Sequence, residues 1–341
     1  VNTKSHRSSG AHLVGSVPLE NSAAVFSLVG TELDGHVSRI PDGETGSRSN
    51  WIKWQYPVLE NCPQLEADTH SAEGRPQIKL RSSCSAADVD LGALGYSAAA
   101  IASYREFSKL KHAKQISGDC RFQVSLPTPL APIQFFVAPE CRAELEPVYE
   151  ASLLDELHEI TTAIPGDELA IQWDTAVEFG ILEGVFASHL ETPFSDVLTR
   201  LTRIGNAVPK SVELGYHLCY GDSGHKHFVE PEDAGHLTTV ANGVVEGMDR
   251  SVNWIHMPVP RERFDRAFYE PLESLKLPAE TELYLGLIHT TDGEEGARRR
   301  VEAASEFVDG FGVATECGFG RRPVETVPEL LRIHASVAKA R

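Results

Sequence analysis

Five times between residues 147 and 317 the chain runs from a helical stretch into a short apolar strand that stops at a polar or sulfur-bearing residue. The strand ends read Ile171-Gln172-Trp173-Asp174, Gly215-Tyr216-His217-Leu218-Cys219, Trp254-Ile255-His256, Leu287-Ile288-His289 and Thr315-Glu316-Cys317. Two antiparallel strands can be joined by a tight hairpin, whereas parallel strands need a crossover long enough to hold a helix. The alternation therefore predicts βαβ units and a parallel sheet. Leu13–Val17, a short strand at Ile40 and Phe122–Pro127 bring the count to about eight, the number that closes a (β/α)8 TIM barrel. The expectation is an α/β chain folded as a single barrel domain over residues 11–341. A doubly wound open sheet is the structural rival.

Helices are expected at Ser22–Leu33, Ala86–Leu110, Pro147–Ile164, Pro193–Gly205, Pro231–Gly247, Arg263–Leu275, Gly293–Asp309 and Val324–Ala340. Pro231, flanked by Glu230, Glu232 and Asp233, reads as a helix start, because a proline and acidic side chains both suit a first turn. The stretch 51–85 is broken by Pro, Gly and scattered charges and reads as an irregular excursion or a hairpin. Pro127–Pro132 reads as a proline-rich loop, and residues 1–10, polar and basic, as a flexible tail.

Composition narrows the function. Apolar residues make up 41% and charged residues 23%, enough for a sizeable core. A formal net charge of −18 excludes the basic surface expected of a nucleic-acid binder. No apolar run is long enough to span a membrane. Six cysteines lie scattered, with no secretory signal in the first ten residues and no Asn-x-Ser/Thr acceptor. A reducing cytoplasm is the expected home. The oligomeric state is left open.

In a closed barrel the carboxyl ends of different strands meet at one mouth. Asp174, His217, Cys219, His256, His289 and Cys317 would converge there. His217 and Cys219, two apart on a strand, point the same way. With Cys317 they form a His/Cys/Cys set suited to zinc, and three protein ligands leave a fourth position open, as catalytic sites require. The bland reading makes His217 a satisfied core histidine and Cys219 a small hydrophobe. His225-Lys226-His227 reads as a solvated loop, Arg298-Arg299-Arg300 as a surface face, and Arg321-Arg322 as a possible cradle for an anionic group. Asp42-Gly43-Glu44-Thr45-Gly46 lacks the Gly-Lys-Ser/Thr of a phosphate loop, which excludes nucleotide binding by that motif.

Taken in order, Val14-Gly15-Ser16, Asp42-Gly43-Glu44, Gln172-Trp173-Asp174, His217-Leu218-Cys219-Tyr220, Ile288-His289 and Glu316-Cys317-Gly318 resemble the catalytic barrel of cobalamin-independent methionine synthase and its single-barrel relatives. The resemblance runs from about His12 to the end and implies a (β/α)8 barrel that transfers a methyl group to a zinc-held thiol. It implies that His217, Cys219 and Cys317 hold Zn2+ and that Glu44 and Asp174 bind the amino group of homocysteine. Gly15 and Ser16 would receive its carboxylate, and His289 would act as proton donor. The partners implied are a small-molecule thiol acceptor and a methyl donor. Two departures stand out. His256 occupies the place of a family glutamate ligand and enters here as a fourth candidate ligand. The Pro127–Pro132 region lacks the tryptophan of the folate-binding barrel, so a folate donor is not implied. Two alternatives stay open. One is a barrel enzyme of the same superfamily with decarboxylase, lyase or zinc-hydrolytic activity. The other is a non-catalytic binding protein on the same barrel.

Overall fold

The computed structural model describes residues 10–68, 76–224 and 226–338. Nine strands are present among them: β1 (Arg39–Pro41), β2 (Leu65–Asp68), β3 (Gln77–Leu80), β4 (Arg121–Pro127), β5 (Leu169–Thr175), β6 (Glu213–Leu218), β7 (Trp254–Pro258), β8 (Glu282–Ile288) and β9 (Phe311–Thr315). Seven form one parallel sheet in the order β1-β4-β5-β6-β7-β8-β9. Residues 10–17 fill the space between its two edges. Ala11 bridges Val313 of β9 and Ser16 bridges Gly43 just beyond β1, both in parallel sense. The His12 amide donates to the Val313 carbonyl and the Val17 amide to the Gly43 carbonyl. This irregular stave closes the sheet into a barrel of the TIM type, as the strand count predicts.

Burial on both faces explains the composition of the strands. All seven residues of β5 and all five of β7 and of β9 are buried. Strands covered by helices on one side and packed against each other on the other have no solvent face to alternate toward. At the amino-terminal end, the nearly inaccessible Arg39 guanidinium ties β1 to Glu213 (2.6 Å) and Glu282 (2.9 Å) and lies 4.1 Å from the Trp254 ring centroid. That floor fits only because residue 215 is glycine: a Cβ there would meet the Trp254 indole at 2.0 Å.

Several helix boundaries depart from expectation for physical reasons. The helix expected at Pro147 begins at Arg142 and carries Pro147 inside its first turns, at Arg142–Ala163. Pro147, the sixth residue of that helix, lies beyond the amides that lack an intrahelical partner, so the helix goes without the bond that a donor there would make to the Ala143 carbonyl. The helix expected at Pro231 begins at Gly235. The proline-rich segment is not a loop, since Leu130–Phe136 is helical. The helix expected from Ala86 begins only at Tyr96, after a short helical turn at Ala86–Asp88 and Gly95 with φ 95°; helices at Ser22–Glu32, Pro193–Asn206, Gly293–Ala304 and Val327–Val337 otherwise follow the pattern. Arg263–Leu275 yields only a short turn at Arg266–Tyr269 and a tighter helical turn to Ser274. The excursion at 51–85 holds a short helix, Tyr56–Glu60, and the antiparallel pair β2–β3. The tail residues 1–9, His225 and the end of the last expected helix at Ala340 lie outside the described residues. No described helix is long and apolar enough to cross a membrane.

Candidate active site

The carboxyl ends of β5, β6 and β9, with the turns after β1 and after residue 14, enclose a cavity of about 440 Å³. His217, Cys219, Cys317, Asp174, Glu44 and Ser16 line one end. The structure thus brings together six of the sequence-selected residues. Gly15, His256 and His289 do not reach the cavity wall.

Cys219 follows β6, and its sulfur accepts the Gly221 amide at 3.2 Å. Cys317 follows β9, and the Thr315 hydroxyl donates to its carbonyl at 2.6 Å. One ligand atom each from His217, Cys219 and Cys317 falls within 4.8 Å of the others. His217 is buried, its Nδ1 2.7 Å from Nδ1 of His256, while its Nε2 has no hydrogen-bond partner. A buried ring nitrogen left bare is costly, and each such atom calls for a partner that completes it. The Cys317 thiol is pushed well up by the neighbouring Cys219 and by burial. Two packed thiols and an unpartnered imidazole nitrogen form the donor set that zinc takes, so the residues fit a zinc ion. His256 has both ring nitrogens engaged, one by His217 and the other by the Thr315 carbonyl at 3.0 Å. Burial holds its ring neutral, down at about 3.

The acidic pair is equally constrained. Gly43 and Glu44 both have positive φ, 80° and 49°, and the Glu44 amide donates to Asp42 at 2.9 Å. A Cβ on Gly15 would meet the Glu44 carboxylate at 2.5 Å, which accounts for the glycine. Burial, with Asp42 adding to it, raises Glu44 to about 7. Burial and the nearby Glu44 raise Asp174 well above the usual carboxylate range. Asp174 is aimed by Gln172, whose amide nitrogen donates to it at 2.8 Å and to the Val14 carbonyl at 2.6 Å. His12 Nε2 and the Trp254 indole fix the other end of that amide, at 2.9 and 3.3 Å. Two carboxyls whose charge burial disfavours, facing one cavity, suit a cationic group, which would favour the ionised form of both.

Ser16 is held from below. Its carbonyl accepts the Phe319 amide at 2.6 Å, and its hydroxyl accepts the Gly320 amide at 3.2 Å. Gly318 lies so close that a Cβ would stand 2.3 Å from the Ser16 oxygen. The Cys317 turn and the closing stave are therefore one packed unit.

Sequence reasoning missed three features. Glu316, next to Cys317, is a buried anion. Burial opposes its charge, yet His289, with His227 and Arg322, holds it at about 2. His289 stands behind it, Nδ1 at 3.6 Å, with Nε2 donating to the Val259 carbonyl at 3.0 Å. His227, expected in a solvated loop, lines the cavity instead. It lies 3.4 Å from Glu316 and 3.1 Å from Glu230. Burial would lower its imidazole, but those two carboxylates offset this and raise it. The third feature is an aromatic lining of the cavity, where Trp51, Phe135, Phe186 and Phe228 form a chain of ring contacts with centroids 6.5, 5.7 and 5.1 Å apart. The clustering of His225-Lys226-His227 soon after Cys219 was the one available signal; four aromatics from four separate segments leave none. Arg321 also lines the cavity, 3.5 Å from Asp222.

No protein-family profile matches the chain, and no curated protein matches it in sequence. Solved structures do match in fold. A Listeria monocytogenes protein assigned as a vitamin-B12-independent methionine synthase superimposes with a TM-score of 0.59 at 14% identity, over 98% of this chain and 100% of that one. A B12-independent methionine synthase from Shewanella sp. W3-18-1, in complex with selenomethionine, gives 0.59 at 14% over 96% of each chain. A methyltransferase from Methanosarcina mazei gives 0.57 at 11% over 97% of this chain and 94% of that one. The barrel is thus similar in fold to methionine synthase-like methyltransferases. At these identities the likeness is one of fold alone.

Proposed function

We propose that the chain is a zinc-dependent methyltransferase that activates a small thiol, homocysteine or a similar amino-acid thiol, and alkylates its sulfur. The observation that carries this reading is the convergence of the bare His217 Nε2 with the Cys219 and Cys317 sulfurs in a cavity that is also lined by aromatic rings. His217, Cys219 and Cys317 would hold the ion. Zinc bound there would make a thiol substrate lose its proton near neutral pH and so become a nucleophile. Glu44 and Asp174 bind the acceptor's ammonium group, whose positive charge would offset the burial that raises both carboxyls. The Ser16 turn meets the acceptor's carboxylate. Trp51, Phe135, Phe186 and Phe228 receive the apolar body of the methyl donor and exclude water from the path of transfer. His227, on the cavity wall beside Glu316, and His289, behind it, would supply the proton for the departing donor.

The test is metal content together with zinc X-ray absorption on one sample of purified protein. About one zinc per chain, gaining a sulfur neighbour when homocysteine is added, is the expected result. Metal-free protein, or zinc whose shell ignores every thiol tried, would overturn the reading.

A further inference from the structure

The hydrogen bonds around His217 determine which of its nitrogens carries the proton, and they run through His256. His256 Nε2 lies 3.0 Å from the Thr315 carbonyl oxygen. A carbonyl can only accept, so the His256 proton sits on Nε2. His256 is wholly buried, with an imidazole nitrogen against one of its nitrogens and a carbonyl oxygen against the other, so a second proton would be an unpaired buried charge. Its Nδ1 is therefore bare. The His217 Nδ1 atom stands 2.7 Å from it and must be the donor. A neutral imidazole carries one N–H, so His217 Nε2 is left with a lone pair, buried and without a partner, next to Cys219 and Cys317.

We propose that His256 is a positioning residue that locks His217 in the Nδ1-protonated tautomer and so presents Nε2 to the metal. The inference rests on the zinc reading for its consequence but not for its hydrogen bonds. With both nitrogens engaged, His256 is not a ligand. Among the described residues His217, Cys219 and Cys317 are then the protein donor set, and a zinc ion held by them would keep a fourth position for substrate. Thr315 joins the relay to the other strand, since its carbonyl accepts from His256 while its hydroxyl donates to the Cys317 carbonyl. A single residue of β9 thus sets the direction of a ligand on β6 and the backbone of the ligand that follows β9. Partners of this kind fix tautomer and ring orientation, and their loss typically lowers metal affinity about 10–100-fold.

The experiment is nitrogen-resolved NMR of the full chain with isotope-labelled histidine, metal-free, followed by zinc competition against a chromophoric chelator. The expected spectrum has His217 protonated at Nδ1 and bare at Nε2. His256→Gln keeps an acceptor toward His217 and a donor toward Thr315. It should retain both the tautomer and zinc affinity. His256→Phe fills the space without either group and should bind zinc about 10–100-fold more weakly. A wild-type His217 that carries its proton on Nε2 would overturn the proposal even if no variant folds. So would His256→Phe binding zinc as tightly as wild type, or a zinc-induced shift at a His256 nitrogen as large as that at His217. Wild-type protein that takes up no zinc while showing the expected tautomer would sink the zinc reading and leave the relay standing.

Discussion

Glu44→Gln tests the acidic pair through stability rather than activity. The folded carboxyl holds its proton up to about pH 7, against 4.5 for a free glutamate. A folded state that binds the proton more tightly gains stability that is fully present below the unfolded value and is lost as pH rises through the folded one. Each tenfold change in proton affinity is about 1.4 kcal/mol, so the rise from 4.5 to about 7 is worth about 3 kcal/mol. One face of Glu44 opens on the cavity, where water screens the charge, which brings the figure nearer 2 kcal/mol. Glutamine stays neutral throughout. Urea denaturation of metal-free wild type and variant, repeated at intervals from about pH 4 to pH 9, should show the variant gaining about 2 kcal/mol relative to wild type, most of it between the unfolded value of 4.5 and the folded value of about 7. Any constant cost of the substitution cancels in this comparison. Glu178, also raised to about 7, and the lowered His12, His217 and His256 titrate in both proteins and largely cancel as well. Relief of Asp174, which Glu44 helps to raise, acts in the same direction. Stability profiles that stay parallel across the range would refute the argument that this pair is held protonated.

Two further outcomes follow from the packing and the donor set. Cys219→Ser and Cys317→Ser should each lower bound zinc and abolish thiol alkylation together, as read by metal analysis and product formation on the same preparations; a fully loaded and fully active variant would remove that cysteine from the site. Gly215→Ala should destabilise by about 1–3 kcal/mol in denaturant unfolding, since its Cβ would collide with the Trp254 indole at 2.0 Å; an unchanged midpoint would mean that the barrel floor under Arg39 is not tightly packed.

Much of the fold was legible because its signals are local. Each strand of the second half is a short, largely apolar run bounded by turn residues, and each is followed by a helix-length segment. Helix starts were less legible. Pro147 and Pro231 were read as first-turn residues, but one lies inside a longer helix and the other precedes its helix by four residues. A proline is compatible with either place, and packing against neighbouring segments selects one. The closing stave was visible only as a short apolar run. Its partners, Val313 and Gly43, lie at opposite ends of the sequence.

The sequence by itself determined the alternation of strand and helix, and with it a parallel sheet whose strand ends carry imidazole, thiol and carboxylate groups. Side-chain alternation along β6 was enough to put His217 and Cys219 on one face. Which of those groups share a cavity was decided by tertiary structure alone. Register between strands set His256 beside His217 instead of beside the sulfurs, and the turn after β9 set His289 behind Glu316. Loop packing brought His227 and four aromatic rings to the cavity from segments far apart in the chain. Period and composition fix which way a residue faces; which atoms it meets depends on the distances between elements, and those exist only once the barrel has closed.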